Sequence, residues 1–168
     1  MFALPSPWQI ADERYFLSMR KILTHIVFIA LVVGLGIISG LSNMPGDWYQ
    51  SLQKPFFNPP GWVFAPVWTV LYILIGIAGA RIWDKAPASA AMQLWFGQMI
   101  FNFLWSPAFF GLQSPTMGLL VIVPLLGLIL AFIWQAHPVD RPASLLFLPY
   151  AAWVGFATLL NASLVLLN

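Results

Sequence analysis

Met117-Gly-Leu-Leu-Val-Ile-Val-Pro-Leu-Leu-Gly-Leu-Ile-Leu-Ala-Phe-Ile-Trp-Gln-Ala136 carries no formal charge from end to end. An α-helix needs about 20 mostly apolar residues to cross the hydrocarbon core of a bilayer, and this run has that length. Its apolar residues are continuous instead of alternating with polar ones, which argues against a membrane β-barrel. Outward in both directions lie four more runs of the same kind. The five predicted spans cover residues 22–41, 63–83, 92–110, 117–136 and 144–167, and the breaks between them hold nearly all the charge. The expected fold is an all-α membrane protein: a bundle of five transmembrane helices with a long structured first loop, formed by residues 21–168 and preceded by an N-terminal extension, residues 1–20.

Composition agrees. Hydrophobic residues make up 61% of the 168 and charged residues 7%, against about 25% charged in an average soluble domain. A soluble fold of this size exposes too large a share of its surface to hide so much apolar material, whereas lipid-facing residues need no burial in protein. Arg20 and Lys21 followed by an apolar run imitate a signal peptide. The run is too long, however, and no Ala-x-Ala site follows, so it reads as a retained first helix. With cysteine absent, disulfides, thiolate zinc sites and cysteine nucleophiles drop out. A scattered net charge of +2 gives no footprint for nucleic acid.

Lys and Arg set orientation. With five spans the termini face opposite sides. Arg14, Arg20, Lys21, Arg81, Lys85 and Arg141 then fall on one side and Lys54 alone on the other. In a bacterial inner membrane this places the N-terminus inside.

The first loop, residues 42–62, holds Trp48, Tyr49, Phe56, Phe57, Trp62 and the pair Pro59-Pro60. Prolines forbid regular helix, and the loop is too apolar to float in water. It reads either as a lid folded over the bundle or as an aromatic anchor at the interface. His25 and His137 lack a metal partner at helical spacing. His25 reads as a packing histidine, with haem ligation the alternative. No carboxylate lies within a predicted span, so no intramembrane proton relay is visible. No catalytic residue and no metal site is expected, and the chain reads as a binder more than a catalyst.

In the third run Gln98 and Asn102 are four apart and share a face, which Trp105 and Phe109 continue. An amide in hydrocarbon is costly without a partner, so Asn102 should point inward. It is either interhelical glue or the polar anchor of an aromatic pocket. Trp68 and Tyr72 share a face of the second run. Trp153, Ala157, Leu160 and Asn161 form a stripe on the fifth, with Ala157 leaving room for a flat ligand or for close helix approach. Gly36-xxx-Gly40 and Gly76-xxx-Ala80 are small-residue pairs that point to packing or dimerisation. Pro66, Pro107, Pro124 and Pro149 imply kinks or helix starts. Nine tryptophans suit a pocket for a planar or rigid apolar ligand, sterols and porphyrins being the natural candidates. A plain interfacial belt is the competing account.

Four motifs in order resemble one family. Trp48-Tyr49-x-x-Leu52-x-Lys54-Pro55-x-x-x-Pro59-Pro60-x-Trp62-Val63 is similar to the first-loop signature of the TspO/MBR family (translocator protein, tryptophan-rich sensory protein). Pro66-Val67-Trp68-Thr69-x-Leu71-Tyr72 resembles its second helix. Gly97-Gln98-x-x-x-Asn102-x-x-Trp105-x-Pro107-x-Phe109-Phe110-Gly111 resembles the third, and Pro149-Tyr150-x-x-Trp153-x-x-Phe156-Ala157-Thr158-x-Leu160-Asn161 the fifth. The resemblance implies five helices, commonly a homodimer, and a pocket open toward the first loop. That pocket would take porphyrins such as protoporphyrin IX, haem, sterols, and synthetic isoquinoline or benzodiazepine-type ligands, with no required cofactor. Carried over by position, it would use Trp48, Tyr49, Pro59, Trp62, Trp68, Tyr72, Asn102, Trp105, Phe109, Trp153, Ala157 and Leu160. The implied role is tetrapyrrole sensing, handling or transport. The alternative is light- and oxygen-dependent porphyrin breakdown using pocket tryptophans. Phe56 and Phe57 stand where many relatives carry tryptophan, which weakens that alternative at the loop. The tail Ala162–Asn168 lacks the Tyr and the Lys or Arg of the animal members' sterol-recognition pattern.

Overall fold

A computed structural model of the protein describes the backbone of residues 7–43 and 46–168, with side chains from residue 15 onward. Every regular element among the described residues is helical. Helix α1 (Pro7–Ser42) is followed by the short α2 (Asp47–Ser51) inside the first loop and a 3-10 turn at Gly61–Val63. Then come α3 (Phe64–Lys85), α4 (Ala90–Ser106) with a π turn at Pro107–Gly111, α5 (Pro115–Ala136), α6 (Arg141–Leu146) and α7 (Leu148–Leu167). Four segments are long and apolar enough to cross a membrane: Tyr15–Ser42, Gly61–Lys85, Pro115–Ala136 and Arg141–Leu167. The third predicted run differs. Its α-helix has 17 residues and stops at Ser106, and a π turn carries the chain on to Gly111. The expected N-terminal extension, residues 1–20, falls only partly within the described residues. Positions 1–6 lie outside them, and from Pro7 the backbone is the first part of α1.

Proline chemistry explains the irregular points. Pro107 has no N–H to continue the ladder. The chain answers with i→i+5 bonds, Leu112 N–H to Pro107 O at 2.9 Å and Ser114 N–H to Phe109 O at 3.1 Å. Pro149 likewise breaks the last span at Phe147, which divides α6 from α7. Helix starts are capped by side chains: Ser89 accepts from Met92 N–H, Ser114 from Met117 N–H and Asp140 from Ala143 N–H.

In packing, α3 lies against α1 and, at its end, against α6, while α5 lies between α4 and α7. One glycine of each small-residue pair, Gly36 and Gly76, serves a contact within the chain, whereas Gly40 is exposed with open space beside it. A β-carbon on Gly76 would stand 2.8 Å from the Ile29 Cα of α1, and one on Gly36 would collide with the Tyr72 ring. The tightest packing runs from mid-bundle to where α3 ends and α6 begins: Ile75, Ala78, Ile82, Phe132, Ala136, Ala143, Phe147 and Tyr150 are all fully buried along it. Outward-facing side chains are large and apolar along α1, as expected of a lipid-facing surface.

That end is fastened by one carboxylate. Asp140 is wholly buried; it accepts from Arg81 Nε at 3.0 Å, Arg81 Nη2 at 3.1 Å, Lys85 Nζ at 2.6 Å and the Ala143 N–H at 2.8 Å. Close by in sequence on α3, Asp84 stands 3.8 Å from His25 Nδ1, and the same nitrogen meets the Lys21 carbonyl at 2.9 Å. His25 is therefore engaged locally. The pairings bring Lys21, Arg81, Lys85 and Arg141 to one end of the bundle, while Lys54 lies at the other, beside the contact between Gln53 and Asn168.

Two consequences are measurable. Gly76→Ala should force α1 and α3 apart and cost about 1–3 kcal/mol, lowering the thermal midpoint in detergent; Gly127→Ala, whose β-carbon meets open space, should not. For Asp140, burial raises the carboxyl, but hydrogen bonds from Arg81, Lys85 and the Ala143 N–H, with the Arg81 charge, hold it at about 2 against an ordinary 3.8. The folded value lies below the unfolded one, so its stabilisation is complete above about pH 4 and fades as pH falls toward 2; it is at most about 2 kcal/mol. Circular-dichroism melts should show wild type losing stability over that window, with Asp140→Asn less stable at pH 7 and flatter through it.

Candidate ligand-binding site

At mid-bundle four polar side chains bond only to one another and to backbone. Tyr150 Oη donates to Gln98 Oε1 at 3.0 Å and accepts from Asn102 Nδ2 at 2.6 Å. Asn102 Oδ1 accepts from Tyr72 Oη at 3.2 Å, and Gln98 Nε2 donates to the Trp95 carbonyl at 2.9 Å. Trp95 Nε1 continues the chain to the Ile75 carbonyl at 3.0 Å. Gln98, Asn102 and Tyr150 are buried. The network ties α3, α4 and α7 at one level. Trp68 lies above it, its ring 5.1 Å from Tyr72 and 6.2 Å from Tyr150. Both Asn102 amide atoms are occupied by phenols, the interhelical-glue arrangement, and the Tyr72 ring joins this floor to Trp68 and, at 6.2 Å, to Phe103.

Toward the first loop, the π turn re-aims Phe109 inward until it is only 2% exposed. Trp105 stacks on it at 5.1 Å and 23°, and Trp48 and Tyr49 of α2 meet the same ring edge-on at 5.6 and 6.2 Å. Trp105 Nε1 donates to Asn161 Oδ1 at 3.2 Å, and Asn161 Nδ2 donates to the Pro115 carbonyl at 2.6 Å. The loop over this cluster is pinned in three ways. Tyr49 Oη donates to Asn58 Oδ1 at 3.4 Å, the Lys54 ammonium sits 4.8 Å over the Tyr49 ring, and the Asn168 amide bonds both the N–H and the carbonyl of Gln53 at 2.9 and 3.1 Å. Of the two readings of this loop, the lid describes its contacts better.

A third group stands beside α3. Trp153 of α7 lies 5.8 Å from Phe64 and 5.7 Å from Phe156, and Phe156 meets Phe57 of the loop at 6.2 Å. Next to it an open groove of about 620 Å³ runs between α3 and α7. Its walls are Pro66, Val67, Val70 and Leu71 on one side and Pro149, Ala152, Trp153 and Phe156 on the other. Among the described residues no three His, Asp or Glu side chains lie together in a way that could hold a metal ion.

Most of the residues expected at the site fall into these groups: Trp48, Tyr49, Trp105 and Phe109 in the loop cluster, Trp68, Tyr72 and Asn102 in the network, Trp153 beside the groove. Ala157 is half-buried on the α7 stripe and Leu160 is buried below it. Pro59 lies half-buried in the loop, its carbonyl taken by Asn58 Nδ2 at 3.2 Å. Trp62 stands apart at 76% exposure and joins none of the aromatic pairs. Tyr150 and Asn161, which the sequence places in the fifth-run motif and, for Asn161, on its stripe, are not among the expected site residues, although each is a polar residue in an apolar run, the signal that marks Asn102.

Tyr150→Phe keeps the ring but strands Gln98 Oε1 and Asn102 Nδ2 in hydrocarbon. It should cost about 1–2 kcal/mol, read as a lower thermal midpoint in detergent. Tyr72→Phe, which removes a half-buried hydroxyl and strands a single acceptor, Asn102 Oδ1, should cost less.

Comparison with known proteins agrees with this architecture. The sequence model of the TspO/MBR family matches residues 28–167. The Tryptophan-rich protein TspO of Chlorobaculum tepidum is 40% identical over 155 residues, covering 89% of this chain and 98% of the relative. The Tryptophan-rich sensory protein of Cereibacter sphaeroides is 36% identical over 135 residues, 80% of this chain and 85% of its own. The bovine Translocator protein is 35% identical over 139 residues, 78% and 82% of the respective chains. A family match that runs from the middle of α1 to the last turn of α7, with relatives this similar along nearly their whole length, makes the chain a membrane protein of the TspO/MBR family.

Proposed function

We propose that the protein binds flat tetrapyrroles, porphyrins and haem, in the aromatic site beneath the first loop, and acts in tetrapyrrole sensing, handling or transport. The observation that supports the reading is the set of half-buried rings in three groups: Trp48, Tyr49 and Trp105 about the buried Phe109, Trp68 with Tyr72, and Trp153 with Phe64. Flat rings with a polar edge are what a flat apolar ligand stacks on, and sterols or isoquinoline and benzodiazepine-type compounds share enough of that shape to compete. The relatives named as sensory and translocator proteins support a role in sensing or passage over one in catalysis.

The same proposal takes α4 with its π turn as a fifth span. Residues 90–111 together are 22 long, about 33 Å if fully α-helical at 1.5 Å per residue, enough for the hydrocarbon core. The Arg- and Lys-rich end faces inside if the protein sits in a bacterial inner membrane. Pairing with a second copy would use the outward apolar faces.

Tryptophan fluorescence of the purified protein, titrated with protoporphyrin IX in the dark, should show saturable quenching. Trp153→Ala and Ala157→Phe should each raise Kd about tenfold, the equivalent of 1.4 kcal/mol, with unchanged helical content. Wild-type affinity in both variants would remove this site from consideration.

A further inference from the structure

The end of the bundle beneath the first loop is shut. Trp48 and Tyr49 rest on Phe109, and the Asn168 amide fastens the backbone of Gln53 at both its N–H and its carbonyl. The side of the bundle is not shut. Between α3 and α7 lies the groove of about 620 Å³, with Pro66, Val70 and Ala152 exposed along it and no charged or amide side chain in its walls. Trp153, one of the residues of the proposed site, forms part of one wall and its ring meets Phe64 and Phe156, so the groove reaches that residue without crossing the loop.

Both flanking segments are long and apolar enough to span a membrane, and the rim therefore faces hydrocarbon. The backbone at the rim suits that phase. Pro66 and Pro149 fall in the first turns of α3 and α7, where N–H groups have no intrahelical partner; proline carries none. We propose that the α3–α7 groove is a lateral doorway, through which a flat apolar ligand dissolved in the bilayer reaches the aromatic site. The proposal rests on the ligand reading given above and adds the route to it. A ligand of this kind partitions into hydrocarbon by about 0.8 kcal/mol for each buried CH₂, so the bilayer holds it at far higher concentration than water does. The groove is also within the size range of small-molecule sites, about 300–1,000 Å³. It offers a passing ligand no hydrogen-bonding side chain that would hold it short of Trp153.

The test is kinetic. A plugged doorway slows arrival and departure alike and leaves equilibrium affinity unchanged, because a route has no effect on its end states. Protein reconstituted in phosphatidylcholine vesicles is mixed rapidly with protoporphyrin IX, and quenching gives the association rate; a chase with empty vesicles gives the dissociation rate. Ala152→Trp and Val70→Trp fill the groove from lipid-facing positions outside the proposed site, and circular dichroism checks that both fold. Each should slow both rates about tenfold and leave Kd within about twofold. Asn168→Ala, which unfastens the loop, should leave both rates at wild-type values. Wild-type rates in both plugged variants would overturn the doorway, and so would faster association in Asn168→Ala, which would mark the loop as the route. Weaker affinity in the plugged variants with an unchanged dissociation rate would make the groove the binding seat, again overturning it. A wild-type protein that shows no saturable quenching at all would bring down the ligand reading itself, and that result is read from equilibrium titration before any rate is measured.

Discussion

Hydrocarbon has no hydrogen bonds to lend, and the interior of this bundle is arranged around that fact. Tyr150 lies on α7, Gln98 and Asn102 on α4, Tyr72 on α3, and each satisfies the next. Sliding any one helix past another by a single turn would strand an amide or a phenol away from water, at a cost of the order of a kilocalorie per group. Apolar packing in lipid is otherwise permissive, since a leucine is as comfortable against an acyl chain as against another leucine. The polar chain is what turns a set of apolar rods into one arrangement, and the aromatic site inherits its floor from it.

The two ends of the molecule are built differently. At the end closed by Asp140, side chains are fully buried and Phe132 and Phe147 lie with ring centroids 3.9 Å apart. At the loop end, rings meet at about 5–6 Å, most of them edge-on with Trp105 stacked on Phe109, and many remain half-buried. Removing a partner from Asp140 would leave a buried charge, which is expensive, so that end has little freedom to move. Adaptability is left to the end that carries the tryptophans, where a binding protein needs it.

Much of this could be read from the sequence, for reasons visible in particular residues. The apolar runs are continuous and uncharged, so α1, α3, α5 and the paired α6 and α7 fall where the runs fall. Asn102, Trp105 and Phe109 declared themselves by helical spacing. Three features did not. The π turn depends on how the chain repairs the bond lost at Pro107, which spacing does not encode. The grip of Arg81 and Lys85 on Asp140 joins positions more than fifty residues apart, and before folding those residues read only as charges at or beyond the ends of the spans. Trp62 belongs to the same motif as Trp48, yet the 3-10 turn at Gly61–Val63 leaves it facing outward.

The π turn also bears on how this segment can vary. A π turn holds one residue more than the α-turn it replaces, and here that extra residue sets the direction of Phe109. Losing any one position between 107 and 111 would let the ladder revert to α geometry and swing the ring about 100° around the helix axis, the angle between successive residues at 3.6 per turn. Trp48, Tyr49 and Trp105 would then have nothing to rest on, although each was untouched. Along this stretch the count of residues is itself under constraint, and homologous chains should change their letters here far more readily than their length.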